Sequence, residues 1–113
     1  GMVSAFSAAG VKYVISRLWS VNDLATAIFM DAFYAYYAGG VNEPPMALRK
    51  AQEYLRNVTV EELRMQGWFR GDTCQLLDDD SREFMETLER KNGKWKPFRK
   101  EIFWGGFVCC QCH

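Results

Sequence analysis

Residues 11–38 read VKYVISRLWSVNDLATAIFMDAFYAYYA, and the change of period inside them decides the fold. Val11 to Trp19 is β-rich and apolar on both faces apart from Lys12 and Arg17, the pattern of a central strand. Ser20-Val21-Asn22-Asp23 then reads as a helix start: Asn22 caps the first turn and Asp23 complements the positive end of the dipole. From Asp23 to Ala38 the apolar positions Leu24, Ala27, Ile28, Phe33 and Tyr37 form one broad helical face, and Gly39-Gly40 ends it. A two-sided apolar strand feeding straight into a helix sets an α/β class.

Upstream, Met2 to Ala9 places Val3, Phe6 and Ala9 at helical spacing, and Gly10 suits a helix C-terminus. Downstream, a second helix opens at Asn42 and tolerates Pro44 and Pro45 in its first turn. Its apolar stripe is Ala47, Leu48, Ala51, Tyr54 and Leu55. Thr59-Val60-Glu61-Glu62 is a capping box for a third helix ending near Gly67. From Trp68 to Trp95 the pattern loosens into a variable insert, with loops at Gly71-Asp72 and Asp78 to Asp80 and a helix over Ser81 to Arg90. Asn92-Gly93 turns the chain, and Ile102 to Cys112 reads as a second strand with Gly105-Gly106 allowing a bulge. Two strands do not make a stable sheet alone, so something else must complete it.

The chain has 113 residues, 49% hydrophobic and 25% charged, which allows one domain and excludes disorder. Gly1 before Met2 reads as the scar of a removed purification tag. Fourteen Lys and Arg balance fourteen Asp and Glu, so no nucleic-acid partner is expected. No apolar run approaches the roughly 20 residues of a membrane helix, and no basic residue precedes an apolar N-terminal stretch, so the expectation is a cytoplasmic protein without membrane contact.

Of the four cysteines, Cys74 stands alone while Cys109, Cys110 and Cys112 crowd beside the single histidine, His113. On a strand Cys110 and Cys112 share one face and Cys109 takes the other, so a tetrahedral metal shell does not close there. The same alternation puts Cys110 and Cys112 out of phase with His113, which argues against a Cys–His dyad. Neither metal nor cofactor is expected, and the cysteines read as small hydrophobes in a core. The acidic run Asp78 to Asp80 lacks the pattern of a calcium loop. Asn57-Val58-Thr59 fits a glycosylation sequon, but Thr59 is better used as a cap. The aromatic set Phe29, Phe33, Tyr34, Tyr36 and Tyr37 is too large for one helix face, which assigns Tyr34 and Tyr36 to an interface.

Four blocks resemble the CHAT domain family. Val14 to Thr26 (VISRLWSVNDLAT) is similar to the family segment V-I-x-x-L-W-x-V-[DN]-D-x-A-T, and Ala47 to Arg56 (ALRKAQEYLR) to its A-L-x-x-A-Q-x-x-L-R helix. Phe98 to Val108 (FRKEIFWGGFV) resembles its closing strand, and AFSAAGV the stretch before the first block. CHAT domains are caspase-like cysteine peptidases, often fused to tetratricopeptide repeats, with a His in an H-G motif and a Cys in a C-x-[ST]-[GA] motif. Neither motif occurs here, so no catalytic residue is carried over.

The resemblance implies the C-terminal half of a caspase-like three-layer α/β fold over residues 1–113, with few strands flanked by helices. It places Trp19, Asn22 and Asp23 at a cleft edge. It also implies that the strand from Val11 has lost a neighbour, which assigns Val11, Tyr13 and Ile15 to an interface with a second copy or with an N-terminal CHAT half. The expected role is a structural or protein-interaction module; the alternative is one half of a split CHAT protease whose dyad lies on another chain. Arg17, where the family usually has a small residue, and Lys100-Glu101-Ile102-Phe103, in place of His-Pro-Tyr-Tyr, depart from the pattern.

Overall fold

The computed structural model describes residues 3–8, 11–17, 23–38, 43–70 and 79–112. In chain order these form β1 (Val3–Ala8), β2 (Val11–Arg17), α1 (Asp23–Ala38), α2 (Pro44–Asn57), α3 (Val60–Met65), α4 (Asp79–Glu89), α5 (Glu101–Trp104) and β3 (Phe107–Cys112). Among the described residues no helix is long and apolar enough to cross a membrane.

The three-layer α/β expectation does not stand. Helix outweighs strand in the described residues, and the three strands form one small sheet of order β1-β2-β3. Both pairings are antiparallel. A three-layer α/β fold needs a mostly parallel sheet with helices on both faces, joined by strand–helix–strand crossovers. Here the helices pack chiefly on one another, and the sheet joins that helical body through β3.

Two local readings are corrected with it. The stretch expected as a helix over Met2 to Ala9 is, in its described residues Val3–Ala8, a strand: Val3 pairs with Ser16 and Ala8 with Val11, antiparallel. In so short an apolar stretch, helical spacing and strand burial are not distinguishable by period, and cross-strand pairing decides. The second strand also starts late. Glu101–Trp104 is a short helix closed by a bond from Gly105 N–H to Glu101 O at 2.7 Å, and pairing begins only at Phe107.

The strand from Val11 is central, as its two-sided apolar pattern predicts. Its edges are both taken, however: Tyr13 faces Phe6 on one side and Gln111 on the other, and Ile15 faces Ser4 and Cys109. The strand that carries Val11, Tyr13 and Ile15 therefore lies between β1 and β3. Backbone pairing to a second copy has no open edge there; the sheet edges belong to β1 and β3.

α1 and α2 make the body. Leu24, Ile28, Phe29 and Phe33 of α1 are buried against Ala47, Ala51 and Leu55 of α2. Two alanines one turn apart leave a shallow groove on α2 that admits the phenylalanine ridge of α1. Below them Met85 and Leu88 of α4 and Phe98 close the core. Phe29 stacks on Phe107 with ring centroids 3.8 Å apart and an interplanar angle of 5°. The Gln52 amide of α2 donates to the carbonyls of Trp104 and Phe107, at 3.1 and 3.2 Å. Those contacts tie the start of β3 to the helices. The predicted capping box is present: Thr59 Oγ1 accepts from Glu62 N–H at 3.2 Å, and Glu62 Oε1 accepts from Thr59 N–H at 3.3 Å.

Candidate functional site

The cleft with the most varied chemistry lies where α1, α2 and the turn after α3 meet. It holds about 630 Å³ and is walled by Asp31 and Tyr36 of α1, Tyr54 of α2, and Gln66 and Trp68. Its shape follows from how α3 stops. Gly67 takes φ +84°, a left-handed conformation that glycine adopts without strain. There Gly67 N–H reaches Arg64 O and Trp68 N–H reaches Leu63 O, both at 3.1 Å, in the manner of a Schellman stop. That reversal carries Trp68 back toward α1.

Tyr54 is the centre of the cleft. Its hydroxyl donates to Gln66 Oε1 at 2.9 Å. Burial pushes its pKa above the ordinary phenol value, and the carboxylates of Glu62 and Asp31 push the same way against the lowering effect of the Gln66 bond. At neutral pH it is a neutral hydrogen-bonding group. Lys50 Nζ lies 5.9 Å from the ring centre of Tyr36, a cation–π approach. Together these residues offer a carboxylate, an amide, a phenol and aromatic surface.

Of the residues assigned to a cleft edge, Trp19 and Asn22 lie outside the described residues, and Asp23 is the first residue of α1. Val11, Tyr13 and Ile15 lie in the paired central strand. Tyr34 is 47% exposed and meets Phe33 edge-on, at 5.6 Å between centroids. Tyr36 is half-buried and lines the cleft. Cys109 is half-buried against the core. Cys110 stands opposite Val14 and Cys112 opposite Lys12 in the sheet, while Cys74 and His113 lie outside the described residues. Among the described residues no group of three or more His, Cys, Asp or Glu is placed to hold a metal ion.

Sequence reasoning missed Gln66 and Trp68 and read Tyr54 only as part of an apolar stripe. A glycine stop followed at once by a tryptophan was the available signal, because the stop folds that ring back onto the preceding helices.

The match to known families is with the CHAT domain, over residues 1–111. No curated protein and no solved structure matches the chain. The match spans nearly the whole sequence, including the VISRLWSVNDLAT and ALRKAQEYLR blocks, and the chain belongs to the CHAT domain family.

Proposed function

We propose that this CHAT-family chain is a non-catalytic protein-interaction module, which contributes a helical body and a recognition cleft rather than a peptidase dyad. The observation that supports the reading is the chemistry of the cleft. Its polar centre is a phenol held neutral beside an amide and a carboxylate, and among the described residues no cysteine or histidine lines it. A cysteine peptidase needs a thiolate with a base held in reach. The sequence offers one histidine, His113, and neither the H-G nor the C-x-[ST]-[GA] motif.

The test is incubation of the purified chain with a mixed peptide library. Hydrolysis no faster than buffer is the expected result. Cleavage that disappears on thiol alkylation would overturn the reading.

A further inference from the structure

From Arg90 to Lys100 the sequence reads RKNGKWKPFRK, six cations without an acid in a chain whose net charge is zero. The fold gathers five of them, Lys91, Lys94, Lys96, Arg99 and Lys100, around one groove of about 510 Å³. Among the described residues no acidic side chain lines it. The floor is apolar, formed by Phe84 and Leu88 of α4 with Trp95 and Phe103. All five cations are exposed. Among the described residues the ion pair is Arg82 with Asp79, at the opposite end of α4, so none of the five is neutralised by a salt bridge.

Helix capping does not account for this set. Arg90 and Lys91 follow the last turn of α4 and complement the negative end of its dipole, an effect that fades within one turn. Lys94, Lys96, Arg99 and Lys100 lie beyond that reach. The segment is also held in place before any ligand arrives. Val60 N–H donates to Trp95 O and Glu61 N–H to Gly93 O, both at 2.9 Å. Asn92 closes the turn through bonds from Trp95 N–H to its carbonyl and from Lys94 N–H to its Oδ1, again at 2.9 Å. A preformed rim loses little entropy on binding.

We infer that this groove docks an acidic segment of a partner polypeptide, one in which Asp or Glu residues flank bulky apolar side chains. The carboxylates would meet the rim and the apolar side chains the floor, which is charge complementarity over a desolvated centre. Single-stranded nucleic acid fits less well. It needs successive open ring faces for base stacking. Among the groove's described aromatic residues Trp95 alone is exposed, at 52%, and Lys91 Nζ already lies 5.5 Å from its ring centre. Phe84 and Phe103 are half-buried and packed on Phe98, at 5.9 and 5.3 Å between centroids.

The partner chemistry rests on the interaction-module reading, but the two fail separately: peptidase activity would overturn that reading without touching the groove. The probe is a fluorescein-labelled peptide alternating Asp-Glu pairs with Leu-Phe pairs, followed by anisotropy with the full chain. Binding is expected to weaken steeply between about 50 and about 200 mM salt. The Lys94→Gln/Lys96→Gln/Lys100→Gln variant should bind about tenfold more weakly, each rim charge being worth roughly two- to threefold. Trp95→Ala should weaken binding at both salt concentrations, and Arg49→Gln, on the exposed side of α2, should change nothing. Circular dichroism confirms that each variant folds. No binding, binding unaffected by the triple substitution, or tighter binding of a thymidine oligonucleotide or phosphatidylserine vesicles than of the peptide would each overturn the inference.

Discussion

Phe29→Ala tests whether one stacked pair joins the sheet to the helical body. The Phe29 ring is fully buried, 3.8 Å from that of Phe107 and nearly parallel to it. At that overlap the attraction is mostly dispersion and exclusion of water. Truncating a buried phenylalanine costs about 3–5 kcal/mol, from lost transfer energy and an unfilled cavity. With ring contacts to both Phe33 and Phe107, a loss of about 4 kcal/mol is expected. That is a large part of the roughly 5–15 kcal/mol that holds a domain together. With a urea slope of about 2 kcal/mol per molar, the midpoint should fall by about 2 M. Phe107→Ala opens the same cavity from the other side, so the double variant should lose less than the sum, with a coupling of about 1–3 kcal/mol. Unfolding followed by tryptophan fluorescence and by circular dichroism measures all three. A loss below about 1 kcal/mol for Phe29→Ala, or strictly additive losses, would refute the claim that this stack is the joint.

The other expectations concern the turns and the cleft. Thr59→Ala removes the acceptor for Glu62 N–H and should cost about 1 kcal/mol in urea unfolding, with Thr59→Ser retaining most of it. Gly67→Ala forces a side chain into φ +84° with its Cβ 3.0 Å from Arg70 Nε, and a loss of about 1–2 kcal/mol is expected by the same measurement. The raised pKa of Tyr54 gives a pH signature. The fold favours the neutral phenol, so its contribution is present below the unfolded value near pH 10 and is lost as pH rises through the higher folded value. Tyr54→Phe should therefore flatten the fall of the urea midpoint as pH rises above about 10; an unchanged fall would place the effect elsewhere.

Where local chemistry decides, the sequence was readable. The Thr59 capping box, the proline-started α2 and the glycine stop at Gly67 all depend on residues within a few positions of one another. The centrality of β2 was legible because its sequence is apolar at both alternate sets of positions, the pattern of a central strand. The family was legible in the VISRLWSVNDLAT and ALRKAQEYLR blocks. What was not legible depends on partners far along the chain. Val3–Ala8 is a strand because Val11–Arg17 lies beside it, and no local period announces that. Gln52 reads as an ordinary helix-surface amide until Trp104 and Phe107 return with two carbonyls for it, more than fifty residues later. The cleft has the same origin: Asp31, Tyr54 and Gln66 share no motif, and Tyr54 gains its bond only when the turn after α3 returns to α2.

Net charge misled for a related reason. Fourteen cations against fourteen acids suggest an electrostatically indifferent surface, yet six of those cations lie between Arg90 and Lys100. The rest of the chain then carries eight cations against its fourteen acids. In physiological salt a charge is felt over roughly 8 Å, so a partner approaching the groove meets its rim and not the molecular total. The same separation works as specificity. An acidic segment is drawn to the rim of Lys94, Lys96 and Lys100, while the net-negative remainder of the chain disfavours it. A uniformly basic surface would give a comparable attraction with no preferred position. Here attraction in one place and repulsion elsewhere confine docking to the face beside α4 and orient whatever the segment is attached to.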